Sequence, residues 1–336
     1  MPATATESIL IPDLAFEDEA LEREAAGSAA LVIRRAQRAE DVPAAEWGAA
    51  DAVVAYHRLH YDAALCARLA RCRILVRAGV GTDNVDLAAF GARGIAVANV
   101  PDYGTGEVAD HTVALILALS RGIVEFHRGI VADPVKGWDW RRWPKPVRRL
   151  AGQSLFIVGY GAIGRAVAAR ARAFGLSVGA YDPAAPIGDG VTAYGTLEAG
   201  LAEADIVSLH AMLTRETQGL IDARRIALMK RGVILVNTAR GALVDLEALA
   251  QGLRDGQIGA AALDVLPTEP PSHPLFAALS ADAPWLRGRL VVTPHAAFLS
   301  AEAIRDMRRK AVETALAYLQ GGELRHCVNA AFLKPR

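Results

Sequence analysis

Short apolar runs separated by helical patterns recur along this chain, and they fall into two series. In the first, over roughly residues 7–100, ILIPD, LVIRRA, AVVAYH, ILVRAG and IAVANV read as strands with helical segments between them. The second begins at SLFIVGYG and continues through SVGAYD, DIVSLH, GVILVN, GAAALDV and RLVVTPH. These runs are apolar or β-branched on both faces, as parallel strands covered by helices on two sides require. Two stacked sets of βαβ units, and so an α/β protein of two doubly wound domains, are predicted.

Between the series, residues 106–121 form an amphipathic-to-apolar helical pattern that could cross from one domain to the other. Residues 131–152, VADPVKGWDWRRWPKPVRRLAG, are rich in Trp, Pro and Arg and read as an extended connection. Ser300 is a good N-cap with Glu302 in the first turn, so a long helix to about Gln320 is predicted. Burying that helix against the first domain builds this domain from both chain ends: residues 1–101 with 299–336, around an inserted domain of 102–298. There are no internal repeats or low-complexity tracts.

The bulk numbers agree with two domains. The chain has 336 residues, 52% hydrophobic and 22% charged. Lys plus Arg and Asp plus Glu both total 37, so no net charge draws the chain to nucleic acid or to an anionic membrane. The first twenty residues lack a basic flank and a long apolar core, which reads as no signal peptide. The most apolar helical stretch, residues 112–120, is far too short to span a bilayer. Cys66, Cys72 and Cys327 form no metal-ligand pattern, and an odd count argues against a disulfide framework. Inert thiols in a reducing, cytoplasmic compartment and no metal site are expected.

The chemistry begins at Gly159-Tyr160-Gly161-Ala162-Ile163-Gly164, which follows the strand LFIV and opens a helical pattern. Alone, GxGxxG is weak evidence; after a strand and before a helix it marks a dinucleotide-binding turn. Gly159 permits the tight turn, Gly161 lets backbone approach a pyrophosphate, and Gly164 lets helix pack on strand. The helix start supplies amide donors and partial positive charge. Asp182 ends the next strand, 18 residues after Gly164. An acid there accepts from a ribose 2′-hydroxyl and repels a 2′-phosphate, which points to NAD over NADP. The plainer alternative is an acidic turn residue before Pro183.

Ligands of doubly wound sheets sit beyond the C-terminal ends of the strands. Three strands of the second series end in polar candidates: Arg240 in VILVNTARG, Asp264 and Glu269 in ALDVLPTEP, and His295 in VVTPHAAF. Reduction of a keto acid needs a fixed cation for the carboxylate, which a guanidinium supplies with two hydrogen bonds. It also needs an acid that protonates the carbonyl oxygen, a task for His held by a carboxylate. Arg240, His295 and Glu269 fit these roles in order. Each alone also fits an ordinary one, as a surface charge, a buried imidazole and a loop acid; their joint placement favours chemistry.

RAGVGTDNVDL, GIAVANVP, EVADHTVALILAL, VGYGAIG, NTARGALVDLEAL, ALDVLPTEP and TPHAAF, in that order over nearly the whole chain, strongly resemble the D-isomer-specific 2-hydroxyacid dehydrogenases. The AYH of residues 55–57 and the tail from TPHAAFLSAEAIRDMRRKA to CVN are similar to the C-terminal-binding-protein branch of that family. The resemblance implies a Rossmann NAD-binding domain inserted into a flavodoxin-like substrate domain, an active site in the cleft between them, and a homodimer formed through the cofactor domains with residues 106–121 taking part. It places the catalytic Arg on Arg240, the His-pairing Glu on Glu269 and the acid/base on His295. For the cofactor it implies Gly159, Gly161, Ala162, Ile163, Gly164 and Asp182, backbone contacts at Thr238 and Ala239, and Asp264 near the nicotinamide amide. For the substrate it implies the Val80 and Gly81 amides, Arg77 and a nearby His57.

Two features depart from that pattern. Phe298 stands where the C-terminal-binding-protein branch has a pocket Trp, so that branch's keto-acid preference does not transfer. The linker, with three Trp and six basic residues over 136–149, follows no recognised pattern of the family; it reads as an irregular segment with solvated cations, the alternatives being a cap on the cleft or packing on a partner subunit. Glu269 disfavours a formate dehydrogenase, which pairs its His with Gln. The expected function is hydride transfer between NAD and a small 2-hydroxy or 2-keto acid. The alternative from another class is an NAD(H)-sensing, corepressor-like partner-binding protein.

Overall fold

A computed structural model describes residues 7–142, 147–188 and 190–333, without the Arg142 side chain. Residues 143–146 of the Trp- and Arg-rich linker therefore lie outside the described residues. The chain divides into two compact units, Met1–Gly104 with Ser300–Arg336, and Thr105–Leu299. The expected boundaries, after residues 101 and 298, lie three and one positions earlier.

Unit one holds a parallel sheet of β1 (Ser8–Ile11), β2 (Ala30–Ile33), β3 (Ala52–Ala55), β4 (Ile74–Arg77) and β5 (Ala96–Asn99), in the order β2-β1-β3-β4-β5. This is the flavodoxin-like order. Alternation along the strands splits the core in two. Ile9, Ile11, Val54 and Val76 face the helix Ala301–Gly321, while Leu10, Val53, Leu75 and Val97 face Trp47, Tyr61 and Phe90. The C-terminal helix starts where Ser300 Oγ accepts from the Ala303 N–H and stops at Gly322, in the left-handed region at φ +71°. Its Arg308, only 3% exposed, donates to both carboxylate oxygens of Glu22 at 2.7 and 2.6 Å and to Asp18 at 3.0 Å. The guanidinium also lies over the Phe16 ring. Asn329 completes the tie at the other sheet edge, accepting from Val97 N–H and donating to the Ile95 carbonyl.

Unit two holds β6 (Ser154–Val158), β7 (Ser177–Tyr181), β8 (Thr192–Ala193), β9 (Ile206–Leu209), β10 (Val233–Asn237), β11 (Ile258–Leu263) and β12 (Leu290–Val292). Neighbouring strands pair in parallel and the order is β12-β11-β10-β9-β6-β7-β8, the dinucleotide-binding order with one strand added at the far edge. The strand order reverses between β6 and β9, so their C-terminal ends flank the crevice where such sheets bind ligands. The helix Thr105–Arg121 packs Ala109, Val113 and Ile116 with Val167, Ala168 and Ala171 of the helix Ala162–Ala173.

One expectation is corrected. Residues 131–152 are not simply extended: helices Ile123–Ala132 and Pro134–Gly137 and a 3-10 turn Trp140–Arg142 occupy much of the linker. The Asp133 carboxylate caps the second of these, accepting from the Val135 and Lys136 N–H groups, and Pro134 supplies the first helical position. β8, at two residues, has no readable sequence pattern. Cys66 and Cys72 are buried and all three thiols are free; burial pushes Cys72 up to about 12. Among the described residues no His, Cys, Asp or Glu cluster could hold a metal ion, and no helix is long and apolar enough to cross a membrane.

Candidate active site

The glycine loop leaves β6 at Val158. Gly159 sits at φ +92°, and a Cβ there would come within 2.6 Å of the Ala211 nitrogen, so only glycine lets this turn press against the chain leaving β9. A Cβ at Gly164 would meet the Gly159 carbonyl oxygen at 2.3 Å. Gly161 differs: nothing lies within 4 Å of the equivalent point. That open face, directly before the helix Ala162–Ala173, is the cradle a pyrophosphate requires.

Asp182, just past β7, accepts from the Tyr160, Ala184 and Ala185 N–H groups at 2.7, 2.8 and 2.9 Å. Burial pushes its pKa up, but the three amide donors and nearby Arg165 outweigh that and hold it below the usual carboxylate range. It thus ties the glycine loop to β7 while keeping a partly exposed negative edge. Across the crevice His210 follows β9, its Nε2 2.8 Å from Ser208 Oγ, and burial pushes its pKa down to about 4. The ring is neutral near pH 7.

On the other side of the sheet, the ends of β10, β11 and β12 present the three candidates. Arg240 leads into the 3-10 turn Gly241–Leu243, with its carbonyl accepting from Asn237 Nδ2 at 2.8 Å. A Cβ at Gly241 would lie 1.9 Å from the Leu266 carbonyl carbon, so this turn presses onto the loop that carries Glu269. Glu269 Oε1 accepts from the Leu266 N–H, and Oε2 lies 2.9 Å from His295 Nδ1. Burial pushes Glu269 up, but the His295 ring, the Leu266 amide and the charge of Arg240 together hold it below the usual range. His295 remains about half exposed, with the Phe298 ring edge-on at 6.3 Å.

Residues 113–297 match the family model described as the D-isomer specific 2-hydroxyacid dehydrogenase, NAD binding domain. The chain belongs to that family. It is 39% identical to a glycerate dehydrogenase of Methylorubrum extorquens over 74% of this chain and 76% of the relative. It is 41% identical to a D-3-phosphoglycerate dehydrogenase of Mycobacterium leprae over 76% of this chain, but spans only 46% of that longer protein. The solved D-lactate dehydrogenase of Aquifex aeolicus, complexed with NAD and lactic acid, superposes with a TM-score of 0.83 at 28% identity, covering 93% of this chain and 96% of that one. Unit two is therefore the NAD-binding domain of a 2-hydroxyacid dehydrogenase. These matches carry the family without singling out its C-terminal-binding-protein branch.

Within this dehydrogenase, Ala162 and Ile163 open the helix behind Gly161, and Thr238 and Ala239 lead from β10 to Arg240. Asp264, expected beside the cofactor, is fully buried, with both carboxylate oxygens accepting hydrogen bonds from its own unit. In unit one the remaining candidates gather at the C-terminal edge of the first sheet. Arg77 ends β4 and folds over Gly79, where an added Cβ would overlap the guanidinium. Val80 follows, exposed, its carbonyl accepting from Asn99 Nδ2 at 2.7 Å, and Gly81 comes next. His57 is exposed in the loop after β3. That loop is organised by the buried Asp13, which accepts from the Tyr56, Arg58 and Leu59 N–H groups and the Tyr61 hydroxyl. Asp13 escaped the sequence reading, as did His111, Thr112 and Thr293. The readable signal for the middle pair was two adjacent polar residues opening an otherwise apolar helical run.

Proposed function

We propose that the protein is an NAD-dependent oxidoreductase acting on a small D-2-hydroxy acid or its 2-keto acid, with His295 as acid/base. The observation that carries this reading is the His295–Glu269 pair, placed on the rim of the sheet that bears the glycine loop. Glu269, held ionised near neutral pH, can only accept, so Nδ1 of His295 carries the proton and Nε2 is left to face a substrate oxygen. NAD(H), when bound, supplies or accepts the hydride. Gly161 and the start of the helix Ala162–Ala173 would hold its pyrophosphate and Asp182 its ribose. His295 then delivers a proton to the carbonyl oxygen in reduction or removes it from the hydroxyl in oxidation. Glu269 holds the ring's orientation. Arg240 holds the substrate carboxylate as a two-pronged donor. Arg77, Val80, Gly81 and His57 belong to the same proposal as substrate contacts, supported by their place at the strand ends of the first sheet.

The named relatives act on glycerate, 3-phosphoglycerate and lactate, which supports a compact 2-hydroxy acid. A homodimer through unit two is supported by the helix Ile123–Ala132, which buries none of its residues, and by the exposed Val131, Val135, Trp138 and Trp140 near it. Free thiols accord with a cytoplasmic location. The test is NADH oxidation against a panel of 2-keto acids, with NADPH alongside. Turnover with NADH in preference to NADPH is expected. His295→Ala should lower kcat by about 10² or more with NADH affinity intact, and Arg240→Ala should chiefly lower kcat/KM. Unchanged turnover in His295→Ala would remove it from the mechanism.

A further inference from the structure

His295 has a feature that its pairing with Glu269 does not explain: its backbone lies in the left-handed region at φ +54°. For a residue with a Cβ that conformation is disfavoured by about 1 kcal/mol or more, so neighbouring bonds must hold it. The His295 N–H donates to the Asp264 carbonyl at 2.8 Å and the Thr293 carbonyl at 3.0 Å. The next two amides, of Ala296 and Ala297, donate to Asp264 Oδ1 and Oδ2, each at 2.9 Å. Thr293 Oγ1 donates to Oδ1 at 2.5 Å. The turn that carries the imidazole is thus wrapped around one buried carboxylate.

The chain of bonds continues. Thr293 has one hydroxyl proton, given to Asp264, so towards His111 Nε2, 3.0 Å away, its oxygen can only accept. His111 therefore carries its proton on Nε2. His111 lies on the helix Thr105–Arg121, and the next residue, Thr112, bonds Thr238 Oγ1 at 2.8 Å. Two adjacent side chains of one helix thus brace two strand ends, the one leading to Arg240 and the one leading to His295.

We propose that His111, through Thr293 and Asp264, is a positioning residue that fixes the turn and hence the aim of the His295 ring. The inference rests on the reading of His295 as acid/base. It assigns a role to a helix otherwise accounted for by packing, and it makes Asp264 an internal brace.

Paired substitutions test it. Thr293→Val removes the hydroxyl at nearly constant size, and Thr293→Ser keeps it; His111→Leu removes the Nε2–H donor, and His111→Gln replaces it with an amide. Thr293→Val and His111→Leu should each lower kcat about tenfold, with KM and the Kd for NADH changed less than about twofold. Thr293→Ser and His111→Gln should recover most of the loss. The double variant Thr293→Val/His111→Leu should be no worse than the poorer single one, because both cut the same link. A kcat within about twofold of wild type in both Thr293→Val and His111→Leu, or losses that follow NADH affinity instead, would overturn the proposal. If Thr293→Val does not fold, the two His111 variants decide the question from the other end of the bond. A readout independent of turnover is the ring-proton NMR signal of His295 Nδ1–H, expected to broaden in Thr293→Val and not in Thr293→Ser. Should wild type reduce no 2-keto acid, the functional reading fails, while this signal still decides whether the brace exists.

Discussion

An alanine methyl at Gly164 would lie 2.3 Å from the Gly159 carbonyl oxygen, whereas at Gly161 it would meet nothing within 4 Å. The two glycines therefore differ: packing demands Gly164, whereas at Gly161 the proposed pyrophosphate contact is what a side chain would obstruct. Gly161→Ala should unfold at the wild-type temperature yet bind NADH about tenfold or more weakly, because its methyl occupies the pyrophosphate face. Gly164→Ala should lose stability by roughly 1–3 kcal/mol before any question of binding arises. Thermal unfolding together with a fluorescence titration of NADH separates them, and equal unfolding temperatures would refute the division. The glycine loop, Asp182, Arg240, Glu269 and His295 were legible in the sequence because each stands at a strand end, where an apolar run stops and a polar residue needs a reason. His111 and Thr293 were not legible as a pair. Their hydrogen bond joins positions 182 residues apart, and neither side chain departs from what a helix or a loop ordinarily contains.

At the scale of elements, the strand pattern transferred well because two-sided burial leaves continuous apolar runs. β3 and β5 are buried at every position. The linker transferred poorly. Its Trp, Pro and Arg content suggested an extended path, but Asp133-Pro134 is an N-cap followed by a first-turn proline, a local helix signal that composition masked. The opposite case is Ser300, where a single cap marked the start of a helix of 21 residues. Ser300→Ala should destabilise the protein by about 1 kcal/mol, the cost of leaving the Ala303 amide without its side-chain acceptor. Urea unfolding would show it as a lower midpoint at unchanged slope, and an unchanged midpoint would mean that Ser300 does not cap the helix in solution.

For the molecule as a whole, acid is the revealing variable. His210 has its pKa depressed to about 4 from an ordinary 6.5, so between those values the folded chain binds fewer protons than the unfolded one. Stability is then complete above pH 6.5, falls as pH drops through this window, and the loss saturates below about 4. The residue keeps partial contact with water, which offsets part of the penalty, so roughly 1–2 kcal/mol is expected. His210→Gln should flatten this stretch of the stability curve between pH 7 and 4.5, and a slope equal to wild type would exonerate the ring. The buried contact of Arg308 with Glu22 bears on a different process, the birth of the protein. Residues 105–299 are continuous, so the NAD-binding unit can fold as it leaves the ribosome. The first unit, although synthesised earlier, must wait with the hydrophobic face of its sheet uncovered until the helix Ala301–Gly321 emerges nearly three hundred residues behind Glu22. Of the two units, the one whose sheet is made first is thus completed second, and during that interval it is the one more in need of a chaperone.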